Sequence, residues 1–120
     1  MSSLQDKIRE ALDIAGTHTL PDVIEAVQDR QAQAWGTENA AIVTEIVAYP
    51  QTRALRVWIA AGRLDDVLEL FDGPVTEFGR AENCTVAEFV GRPGWERVMT
   101  PRGWEKVGIV MRKELVDGRR

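Results

Sequence analysis

The residues able to do chemistry in this chain are few, and their scarcity is informative. His18 is the only histidine, so metal sites built on paired histidines and histidine-based nucleophilic triads are excluded. It precedes a helix start, where solvent exposure is the expectation. Cys84 is the only cysteine, which removes an intrachain disulfide framework and fits a reducing compartment. A reactive thiolate needs neighbouring positive charge, and only Arg80 is close in sequence. Cys84 is therefore read as a small hydrophobe. Trp35, Trp58, Trp95 and Trp104 could form a stacking platform, but packing in the core and at sheet edges is the better use for most of them. One or two left partly exposed would favour a protein contact.

Charge separates the chain further. The formal net charge is −4, which disfavours general nucleic-acid binding, since phosphate contacts need a clustered positive field. Arg92, Arg97, Arg102, Lys106, Arg112, Lys113, Arg119 and Arg120 make the last third locally basic, while residues 1–90 hold the acid excess. That split can guide docking to an acidic partner or an anionic ligand. Glu96, Glu105, Glu114 and Asp117 are interspersed, as in an ordinary solvated mixed surface.

These residues need elements to position them. With 120 residues, 44% apolar and 28% charged, the chain fits one soluble globular domain, 1–120. No apolar run approaches the ~20 residues that span a bilayer. The N-terminus lacks a basic start followed by an apolar core, and a cytoplasmic protein without membrane contact is expected.

Residues 3–15 place Leu4, Ile8, Ala11, Leu12 and Ala15 on one stripe, an amphipathic helix stopped by Gly16. Thr19-Leu-Pro-Asp22 reads as the start of a second helix to about Asp29. A weak strand at 31–35 follows. Ala41 to Tyr49 and Ala54 to Ala60 form a hairpin around Pro50-Gln-Thr-Arg53. Leu55, Val57 and Ile59 are expected on one face, with Trp58 on the other.

Leu64, Val67, Leu68, Phe71, Val75 and Phe78 recur at helical steps. Gly73-Pro74 predicts a kink or two short helices there. Residues 84–90 return to strand, and 95–99 form a short helix ended by Pro101 and Gly103. Val107, Ile109 and Met111 alternate with Lys106, Gly108, Val110 and Arg112 in a closing strand. A frayed tail, 116–120, ends the chain. The order predicts an α/β protein with a mixed central sheet and helices on both faces.

This order, with the hairpin 41–60, the helix after Gly62, the strand near Val86 and the Gly103-Trp104 pair before the last strand, resembles the GNAT acyltransferase fold over residues 17–115. Thr17-His-Thr-Leu, Val43-Thr-Glu-Ile and Gly94-Trp-Glu-Arg-Val also resemble stretches of small GNAT-like proteins encoded by tailed phages and prophages. The resemblance implies an acyl-CoA site at Ile59, Ala60, Ala61, Gly62 and Arg63, a general base such as Glu45, and a tyrosine acid about four residues before the Gly-aromatic pair.

The sequence departs from that pattern. The loop Ala60-Ala-Gly-Arg-Leu-Asp-Asp66 lacks the family's second glycine, and Asp65 and Asp66 put negative charge where a pyrophosphate would bind. Met99 stands at the acid position, and Tyr49, the only tyrosine, sits at the hairpin turn. Glu45 among β-branched neighbours could have a raised pKa; the competing reading is a cross-strand pair with Arg56. The first expectation is a non-catalytic binding or structural module with no cofactor. It would have a protein partner (phage structural proteins by the resemblance) and association with a virion or as a homodimer. The second is a divergent N-acetyltransferase using acetyl-CoA, with Glu45 as base and Arg63 on phosphate.

Overall fold

The computed structural model describes residues 6, 8–10, 12, 18–91 and 94–116. The chain divides into two compact units, Met1–Phe89 and Val90–Arg120. Most of the expected N-terminal helix, its Gly16 stop, and the tail beyond Val116 lie outside the described residues. Asp6, Ile8 to Glu10 and Leu12 are helical, and Ile8 and Leu12, one turn apart, are both buried.

In the first unit, α1 (Leu20–Gln28) begins where the sequence placed it. The Thr19 amide and hydroxyl donate to the Asp22 carboxylate over 2.8 and 3.0 Å, and Pro21 occupies the first turn. Four strands follow: β1 (Gln33–Gly36), β2 (Ala40–Ala48), β3 (Arg53–Gly62) and, after a helical segment, β4 (Val86–Phe89). They lie in the order β1-β2-β3-β4. The first two pairings are antiparallel, and β3 with β4 is parallel.

The β2–β3 ladder is irregular at one point. Val43 pairs with Ile59 and Thr44 with Val57, so Trp58 is the extra residue of a bulge. The bulge corrects the expected alternation of β3. Leu55 and Val57 belong to one apolar layer with Ala40, Ile42, Val67, Leu70 and Val75. Ile59 and Trp58 turn to the other layer, with Ala41, Val43, Leu20, Val23, Ile8 and Leu12. The sheet therefore has helices on both faces, as expected.

At Gly73-Pro74, where a kink or two short helices were expected, two short helices are found with an irregular turn between them. α2 (Leu64–Leu70) runs through a π-type turn at Phe71–Val75 into α3 (Thr76–Ala81). Proline has no N–H to give and its ring crowds the carbonyl four residues back. Widening the turn accommodates both. The Thr76 hydroxyl donates to the Phe71 carbonyl over 2.6 Å. Gly79 packs against Leu55, where an added Cβ would lie 3.0 Å from the leucine's Cδ2.

In the second unit, α4 (Gly94–Met99) and a 3₁₀ turn (Thr100–Arg102) end at Gly103, whose φ is +94°. This is the helix and glycine stop read from the sequence. The closing strand is not formed. Residues 104–115 take part in no ladder, and Val107, Ile109 and Met111 are 89%, 72% and 83% exposed. Alternation gives a strand its two faces, but only a neighbouring strand gives it hydrogen bonds.

Candidate functional site

The residues expected to hold a cofactor sit at the end of β3. Ile59 is buried, Ala60 and Ala61 are half-buried, and Gly62 and Arg63 are exposed. The connection from β3 to α2 is one residue, Arg63. Gly62 makes that turn with φ +114°, and a Cβ there would lie 2.2 Å from the Asn39 carbonyl oxygen. Only glycine fits. The Arg63 amide donates to the same Asn39 oxygen over 2.9 Å.

The Arg63 guanidinium lies 3.6 Å from the Asp66 carboxylate on the first turn of α2. Asp65 is the second acid of that turn. A pyrophosphate cradle needs several amides converging on an anion with no negative charge beside them. Here the loop is a single residue, its amide is directed to Asn39, and the Asp66 carboxylate pairs with its guanidinium. These residues do not fit an acyl-CoA pyrophosphate.

Glu45 lies elsewhere. Ala40 pairs with Gly62, and Glu45 is five residues further along β2, roughly 16 Å away at ~3.3 Å per residue. It pairs across the ladder with Arg56, its carboxylate 3.6 Å from the guanidinium. The structure therefore does not gather Glu45 with Gly62 and Arg63. Instead it builds a polar cluster around Arg56. The Tyr49 hydroxyl donates to Glu88 over 2.7 Å. Arg56 donates to Glu88 from Nε over 3.3 Å and to the Tyr49 oxygen over 3.2 Å.

The guanidinium is held above the ordinary arginine range, first by its bond to Tyr49 and then by Glu88 and the Glu45 charge, with partial burial opposing. The hairpin register alone points to the Glu45–Arg56 pair. Glu88 was missed because it joins through the parallel β3–β4 pairing, where Arg56 lies opposite Glu88, and that register has no signal in the sequence.

The remaining candidates serve packing. Met99 is buried and carries a thioether, which cannot donate a proton. Cys84 is half-buried and packs against the layer containing Leu55 and Val75. His18 is exposed, as expected, with its ring edge-on to Trp58 at 4.8 Å. Trp35 stands edge-on to Phe78 at 5.3 Å and donates its indole N–H to Thr44. All four tryptophans are half-buried. Among the described residues no cluster of His, Cys, Asp or Glu could hold a metal, and no helix is long and apolar enough to cross a membrane.

Comparison with known proteins places the architecture. No family model and no curated protein matches the sequence. Solved structures do match. A probable acetyltransferase aligns over 94% of this chain and 89% of its own, with TM-score 0.65 and 8% identity. A Trypanosoma brucei acetyltransferase aligns over 92% and 94%, with TM-score 0.61 and 11% identity. The ribosomal-protein-alanine N-acetyltransferase of Brucella melitensis biovar Abortus 2308 aligns over 92% and 96%, with TM-score 0.54 and 14% identity. The chain has the α/β fold of the GNAT acetyltransferases. At these identities the likeness is one of fold, and fold alone does not carry an activity.

Proposed function

We propose that this chain is a GNAT-fold binding module that does not transfer acyl groups. One observation carries the reading: the one-residue link at Arg63, whose amide is bonded to Asn39. Where a pyrophosphate would need converging donors, the backbone closes on itself. The Asp65–Asp66 pair and the thioether of Met99 support the same conclusion. Without a coenzyme to present, the fold serves as a protein-binding surface. The resemblance to small phage-encoded proteins favours a partner among phage structural proteins and a place in or on the virion.

Titration calorimetry and thermal melting with acetyl-CoA and CoA test this. Neither heat of binding nor stabilisation is expected at millimolar ligand. A saturable isotherm with a matching rise in Tm would overturn the reading, since a ligand at 100 times its Kd adds about 2.7 kcal/mol of stability.

The names of the aligned structures favour a second reading, a divergent N-acetyltransferase acting on an amine with acetyl-CoA as donor. It requires the loop at 59–63 to open from its Asn39 contact. Acetyl transfer to a panel of amines and peptides, abolished in Arg63→Ala and reduced in Glu45→Gln, is what that reading demands.

A further inference from the structure

We draw no further inference here: the strongest candidate, the exposed apolar row of Val107, Ile109 and Met111 in the stretch 106–112 of the second unit, carries none, because nothing in the structure shows what covers it.

Discussion

The amide of Arg63 donates to the carbonyl of Asn39 over 2.9 Å, and this bond ties the start of α2 to the residue before β2. Asn39 meets Arg63 because Gly62 turns with φ +114° directly against it. A methyl group at Gly62 would collide with backbone, which cannot rotate away as a side chain can. Gly62→Ala is expected to cost about 3 kcal/mol, combining left-handed strain with the clash. A urea midpoint unchanged from wild type would show that the turn is not held as described.

Thr44 gives the second prediction. It is fully buried, accepts the Trp35 indole N–H over 3.0 Å and donates to Gln33 over 2.8 Å. Thr44→Val keeps the shape but strands both partners in a half-buried setting. A loss of about 2 kcal/mol is expected. Thr44→Ser, which keeps the hydroxyl, should retain most of the stability, measured as the urea midpoint, that the valine variant loses. Equal loss in both variants would assign the effect to packing.

The secondary structure was legible wherever local chemistry decides it. Thr19-Leu-Pro-Asp22 carries its own helix start, and Gly103 its own stop. The two long strands followed from β-branched runs about a turn. Two features were hidden because distant residues set them. The bulge at Trp58 leaves no mark in the run Val57-Trp58-Ile59, which is apolar whichever way each side chain points. The stretch 106–112 has the pattern of a strand, but its partner is not encoded in its own residues. In the candidate site, the missing second glycine was visible directly, whereas the role of Asn39 required the β2–β3 register.

Arg56 is the hub of the polar cluster, shared among Glu45, Glu88 and Tyr49. Its side chain keeps 38% of its exposure and those of its acidic partners 33%, so a surface magnitude applies rather than a buried one. Arg56→Met should cost about 1 kcal/mol at low salt. It leaves the carboxylates of Glu45 and Glu88, on the two strands that flank β3, without their cation. In 1 M salt the Debye length is only about 3 Å, so the difference from wild type should shrink. A deficit insensitive to salt would mean that the arginine acts through its aliphatic stem.

Asp22 supplies a pH dependence whose sign is fixed. Its carboxyl is held below the ordinary 3.8, first by the Thr19 amide and then by the Thr19 hydroxyl. A depressed folded-state pKa means that the folded chain binds fewer protons than the unfolded one between the two values. The stabilisation is therefore complete above pH 3.8 and fades as pH falls through the folded value. Asp22→Asn removes the charge that binds the Thr19 amide and opposes the helix dipole. The variant should be less stable than wild type at pH 7, with the two curves converging below pH 3.8. Urea midpoints measured across that range decide the matter, and a gap of constant size at every pH would show that the carboxylate charge at the start of α1 is immaterial.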